Sequence, residues 1–439
     1  MRILLLSQFY SPIIGGEERH VRDLGALLTA RGHAVAVATI WHRGLPEFEM
    51  DGAVRVYRIR STMQRATFLF SELTRFHAPS FPDPELVSGL RRVVRLEHPD
   101  IVHAHNWLIH SFLPLKAWSK AKLVLTVHDV SVRCATKRLS YREKNCTGPS
   151  LLKCLECATV HYGLLKGPPT VVSNWLMNFP ERQAVDLFIP VSRAVGMVND
   201  LMNGNLPVKV IPNFVRDDIG ANNAESHPKL RELPDRDFML YVGAFGRRKG
   251  LDELFRAYAG LDDAPPLVVI GYTVPESPVQ TTNLPPGIVV LKDWPHEAVM
   301  QAWQRCLFGL VPSVYFDSCP TTTIEAMVVG RPVIGSRIGG IPDQIVDGET
   351  GFLVPPGDAD ALRQAMAHLI ADPTLRARMG EAAKRKAVEF LASVVVERIE
   401  QSYRDLLKEH NGARENTTPT TDHAGGTPRF FERLQDKQI

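Results

Sequence analysis

Short apolar runs alternate with helix-patterned stretches in two separate series along this chain. In the first, the apolar run Ile3–Leu6 leads into Gly15-Gly16, and Val21, Leu24, Leu27 and Leu28 then fall on one helical face. Arg31-Gly32-His33 ends that face before a second run, Ala34–Ile40. A strand–helix–strand unit with so short a crossover requires parallel strands in a sheet covered on both sides. Val54–Ile59, Ile101–His103, Leu123–Val127, Leu187–Pro190 and Val208–Ile211 extend the strand series, and Pro84–Glu97 reads as a helix with Arg91, Arg92 and Arg95 outward. Residues 131–160 interrupt it with a polar, basic insert that holds four of the six cysteines.

Residues 216–235 read as a polar linker, and a second series follows. Its strands are Phe238–Val242, Leu267–Gly271, Ile288–Leu291, Leu307–Val311 and Pro332–Gly335, with helices at Leu251–Gly260, Thr322–Val329 and Asp358–Ala371. The expected class is α/β, with two doubly wound domains over residues 1–215 and 236–385 facing a cleft. Residues 386–410 read as a helix, and 411–439 as a disordered tail.

The 439 residues are 44% hydrophobic and 23% charged, which excludes collagen-like, coiled-coil and wholly disordered chains. The net charge of +3 does not suggest a nucleic-acid partner. Residues 51–150 nevertheless hold 16 basic against 8 acidic residues. Arg58, Arg60, Arg65 and Arg75 there surround Phe68, Leu69, Phe70 and Phe76. Two readings stand: peripheral contact with an anionic membrane, or a solvated face with its aromatics packed inward. No run reaches the roughly 18 apolar residues of a membrane span, and Ile3–Leu6 is too short for a signal peptide. The expected location is the cytoplasm, with the inner face of the membrane open.

The richest segment runs from Pro312 to Met327. A strand ends at Val311, a polar loop carries Asp317, and a helix begins near Thr322 with Glu325 eight positions after Asp317. Exposed N–H groups at such a helix start can hold an anion, and the two carboxylates can accept hydrogen bonds from two sets of hydroxyls. This stretch, with Gly330-Arg331-Pro332-Val333-Ile334-Gly335-Ser336 and Gly339-Gly340-Ile341-Pro342, resembles the retaining glycosyltransferases of the group 1 type, family 4. Gly15-Gly16-Glu17-Glu18, Thr126-Val127-His128-Asp129, Val191-Ser192, Pro212-Asn213 and Gly348-Glu349-Thr350-Gly351 follow in that family's order.

The resemblance implies the GT-B fold, two Rossmann-like domains, with an acceptor side in the first, a nucleotide-sugar donor in the second, and the helix of residues 386–410 returning to the first domain. It implies transfer of a hexose-type sugar to a glycan, lipid-linked or small-molecule acceptor, with retention and no catalytic metal. Glu325 would bind the ribose. Asp317 would bind the donor sugar, although the family usually has Glu there. Thr321, Thr322 and Thr323 would hold the distal phosphate, and Gly243 and Gly16 would lie close to the donor. Lys249 matches the family's diphosphate lysine, but Ala244 stands where an Arg is usual. Either Arg247 or Arg248 is expected to reach in, since cations stabilise the departing diphosphate. His128 would lie by the donor sugar, and Gly15, Gly16, Glu18, His103, His105 and Asn106 by the acceptor. With no neighbouring carboxylate or Cys, His103 and His105 do not read as a metal pair. Two alternatives remain: an epimerase or hydrolase of the same fold, or a catalytically silent nucleotide-sugar-binding subunit.

Cys134, Cys146, Cys154 and Cys157 end in a Cys-x-x-Cys and fit either a structural zinc site or a set of reduced loop thiols.

Overall fold

A computed structural model describes residues 1–415 apart from Ile14, 66–75, Glu143, 222–225, 274–278, Gln280 and Thr282. The expected Phe68–Phe70 and Arg75 cluster lies outside the described residues.

The first domain is built on strands β1 (Arg2–Leu6), β2 (Ala34–Ile40), β3 (Phe48–Asp51), β4 (Val54–Ile59), β5 (Ile101–Ala104), β6 (Lys122–Val127) and, past a hairpin of β7 (Ser140–Tyr141) and β8 (Lys144–Asn145), β9 (Leu187–Pro190). Seven of them form one sheet in the order β3-β4-β2-β1-β5-β6-β9, parallel except for the β3–β4 pair. Both faces are buried. Leu4 and Leu6 enter one core, and Ile3 and Leu5 the other. That is why the run has no polar alternation.

The second domain holds β10 (Met239–Phe245), β11 (Leu267–Thr273), β12 (Ile288–Lys292), β13 (Gly309–Val311), β14 (Val333–Ser336) and β15 (Gly351–Val354). They form an all-parallel sheet in the order β12-β11-β10-β13-β14-β15. The order reverses between β10 and β13 here, and between β1 and β5 in the first sheet. Open α/β sheets bind ligands beyond the carboxyl ends of their strands at such reversals.

Several expectations need correcting. Val208–Ile211 is not a strand. Pro207 and Pro212 flank it, and only a bridge from Val208 to Phe188 and a few backbone bonds tie it to β9. Residues 216–235 are not a loose linker throughout: Leu230 and Leu233 are buried in the second core. The final helix, Ala392–Glu415, runs past Asn411, so the tail expected from 411 starts helical. The insert is also larger than residues 131–160, with helices Leu151–Tyr162 and Gly167–Ala184.

The helix Ala392–Glu415 lies on the first sheet. Val395, Val396, Ile399 and Tyr403 join the core around β1. Buried Glu400 meets His33 at 2.8 Å and Arg31 at 3.1 Å. The chain crosses between domains twice, and the crossings pair with each other. Val215 N donates to Phe390 O at 3.0 Å, and Ala392 N donates to Val215 O at 2.8 Å.

Candidate active-site cleft

The donor-side loops meet at the reversal in the second sheet. After β10 the chain makes one 3-10 turn, Arg247–Lys249, and Gly250 opens the helix Leu251–Ala259 at φ +75°. A Cβ on Gly250 would lie 1.8 Å from Pro312 O, so only glycine lets this loop lie against the one after β13. The contact brings two charges together. Lys249 Nζ donates to Asp317 Oδ2 at 2.6 Å, and Ser313 Oγ donates to the same oxygen at 2.8 Å. From below, Gly340 N donates to Asp317 O at 2.8 Å, and a Cβ on Gly339 would strike that carbonyl.

Beside them begins the helix Thr321–Val328, with no side-chain cap on its first N–H groups. Glu325, one turn in, is buried and accepts from His296 Nε2 at 2.9 Å. Thr321 and Thr322 are half-buried. Thr323 is fully buried with an unpartnered hydroxyl, so any contact it makes with a ligand in the cleft is through its backbone. A cavity of about 470 Å³ opens between this helix start and the first domain, lined by Glu325, Thr321, His296, Gly16, Arg19 and His20 among others. Gly243 is packed close to the Tyr241 hydroxyl, which donates to Ala244 O.

The two candidate arginines do not join Lys249. Arg247 is exposed and 3.7 Å from Asp252. Arg248 turns toward the insert, donating to Arg138 O at 2.6 Å and Ser140 Oγ at 3.2 Å, with its guanidinium over Tyr315. Asn145 Nδ2 adds a 3.4 Å bond to Val314 O. The insert therefore reaches from the first domain onto the donor loops.

On the acceptor side, the loop after β1 feeds the helix Gly16–Ala30. Glu18 is buried and folds back against Gly15, where a Cβ would lie 2.0 Å from its Oε2. Gly16 has open space around it. Glu17 accepts from Asn106 Nδ2. Burial pushes the Glu17 carboxyl up to about 8, with Glu18 and Asp129 adding to the rise.

Three histidines converge below. His105 Nδ1 and His128 Nε2 share a hydrogen bond of 3.0 Å, and His20 packs edge-on to His128. Their ligand nitrogens lie within 4.8 Å of one another, the one such group of three among the described residues. Both His20 nitrogens and His105 Nε2 lack a partner. Burial lowers His128 to about 4 and takes His20 and His105 well below the usual imidazole range, so all three are neutral at pH 7. His103, expected at the acceptor, is instead fully buried, with Nδ1 bonded to Tyr403 OH at 2.6 Å and Nε2 to Thr126 Oγ1 at 2.7 Å.

His20 and His296 were not singled out from the sequence. His20 had a usable signal: it lies one turn past Gly16, at the helix end that faces the cleft. His296 had none.

The four insert cysteines share one neighbourhood. Burial and the other thiols together raise Cys154 and Cys157. Among the described residues, no three of the sulfurs are grouped within 4.8 Å of one another. Cys319 is buried, and burial pushes its thiol up to about 12.

Comparison with known proteins settles the family. A model described as Glycosyltransferase Family 4 matches residues 14–219, and one described as Glycosyl transferases group 1 matches residues 222–386. The chain belongs to the group 1, family 4 glycosyltransferases. N-acetyl-alpha-D-glucosaminyl L-malate synthase of Bacillus anthracis is 22% identical over 92% of this chain and 97% of its own length. In fold, this glycosyltransferase is similar to sucrose-phosphate synthase of Thermosynechococcus elongatus (TM-score 0.73, 22% identity, 93% of this chain and 99% of that one). It is also similar to HepE of Anabaena solved in complex with UDP-glucose (TM-score 0.63, 17% identity, 93% and 99% covered). The fold is GT-B, two α/β domains with parallel sheets.

Proposed function

We propose that this glycosyltransferase moves a hexose-type sugar from a nucleoside-diphosphate sugar to a glycan, lipid-linked or small-molecule acceptor, with retention and without a metal. The observation that carries the reading is the Lys249–Asp317 pair beside the uncapped start of Thr321–Val328, with Glu325 one turn away. In this reading the diphosphate takes Lys249 from Asp317 and lies on the N–H groups of residues 321–323. The freed Asp317 carboxylate accepts from sugar hydroxyls, and Glu325 accepts from the ribose. Across the cleft, His128 and His105 offer neutral imidazoles to hydroxyls, while Glu17, Glu18, Asn106 and the Gly15-Gly16 turn face the acceptor. We place the reaction in the cytoplasm, at the inner face of the membrane.

A thermal-shift panel of UDP-, GDP- and ADP-sugars tests this. One donor should stabilise the protein by about 2.7 kcal/mol at a hundred times its Kd. No stabilisation by any of them, and no product, defeats the reading. Product formed without an acceptor indicates an epimerase or hydrolase. Binding without turnover on any acceptor indicates a silent subunit, a reading favoured by the exposure of Arg247 and the engagement of Arg248 with the insert.

A further inference from the structure

The helix Gly167–Ala184 has its amphipathic pattern reversed. Its inner face is partly polar: Asn174 and Glu181 are buried, and Glu181 Oε2 accepts from His110 Nε2 at 2.9 Å. Its outer face carries Val172, Trp175, Leu176 and Phe179 at helical spacing, with Leu176 70% and Phe179 68% exposed. The turn before it adds Leu164 and Leu165, each 74% exposed, and the neighbouring helix adds Leu152 at 79%. Residues 151–179 hold nine of the nineteen large apolar side chains exposed among the described residues, with only Lys153, Glu156 and Lys166 as charges. A soluble surface does not gather apolar groups this way without something to cover them.

We propose that this helical hairpin docks on an anionic lipid bilayer. Charge decides between a membrane and a second copy of the chain. Residues 131–166, which surround and include the first helix, hold seven Lys and Arg against two Glu. Two copies joined here would bring like charges together, whereas an anionic surface attracts them. Exposed apolar groups joined to a basic stretch of the same insert are the pattern of an interfacial helix that lies in the headgroup region. No helix among the described residues is long and apolar enough to cross a bilayer, so the contact is peripheral. The apolar residues of this surface lie beyond the stretch expected over residues 51–150, while five of the seven cations, from Arg133 to Lys144, lie within that stretch. The surface belongs to the same insert whose Arg138 O and Ser140 Oγ accept from Arg248. The inference does not depend on which reaction the cleft performs.

The test is flotation of the full chain with phosphatidylcholine vesicles, with and without phosphatidylglycerol, at low and high salt. The wild type should float with phosphatidylglycerol vesicles at low salt and be released by high salt. The double variant W175E/L176E should lower the partition about tenfold or more, with its thermal midpoint kept because both positions are exposed. If that variant unfolds, the milder L164S/L176S takes its place. No flotation of the wild type at low salt overturns the proposal, as does flotation of a folded variant equal to wild type. Light scattering of the lipid-free proteins adds a second arm. A wild-type dimer that the variant converts to monomer assigns the face to a second copy, which also overturns the proposal.

Discussion

Gly250 sets the position of Lys249 in the donor loop. G250A places a methyl group against Pro312 O at a positive φ, and should cost about 2 kcal/mol or more in a denaturation midpoint. E325Q keeps the shape of its site but removes the charge facing His296. It should weaken donor binding about tenfold, measured by calorimetry, with little change in stability. Titration gives a third prediction. His128 and His103 are lowered to about 4 and about 3, and His20 and His105 also fall. The unfolded chain therefore binds more protons than the folded one below about 6.5. Stability should fall as pH drops from there towards 4, by about 1.4 kcal/mol per pH unit for each imidazole. Glu17 acts at the other end. Its folded carboxyl titrates near 8 against 4.5 unfolded, so it lowers stability progressively between 4.5 and 8 and is flat above that. Denaturation curves should therefore peak near pH 6.5, and E17Q should flatten the fall between about 6.5 and 8. Lys249 and Asp317 were legible because each stands in its own loop motif, one after β10 and one after β13. The His20–His105–His128 group was not, because its members come from three segments that only the sheet order brings side by side.

At the scale of elements, the insert is where sequence reading ran short. The strands were readable from runs such as Ile3–Leu6 and Leu267–Gly271, since burial on both faces leaves an unbroken apolar string. The helix Gly167–Ala184 was hidden because it begins with Pro168-Pro169 and keeps polar residues on its packed side. Val208–Ile211 misled for the opposite reason: it is apolar enough for a strand but lacks the length of pairing. The contact between insert and donor loop also changes the expectation for the two arginines. R248A removes the bonds to Arg138 O and Ser140 Oγ and should lower turnover about tenfold by loosening the donor loops. R247A should stay near wild type, since its one charge partner is exposed. Equal rates in the two variants would show that the insert contact plays no part in catalysis.

On the scale of the whole molecule, the final helix belongs structurally to the first domain although it follows the second in sequence. Its existence as a helix was legible, but its buried polar ties were not: Tyr403 reaches His103 across 300 positions. Y403F strands a buried imidazole nitrogen and should cost about 1–3 kcal/mol in chemical denaturation. Between the domains, Val215 is hydrogen-bonded to both Phe390 and Ala392, so the outgoing and returning chains are fastened at one place. Two strings tied together act as a door pin, where two loose ones would act as a tether. The two bonds hold the outgoing and returning chains at one point, so a change in the angle between the halves turns about that knot and sliding past it is resisted. Each opening must part the contacts made by the insert on Arg248 and Val314, and each closing must remake them in the same register. A substrate entering such a cleft meets one path of approach, and its alignment is inherited from the joint.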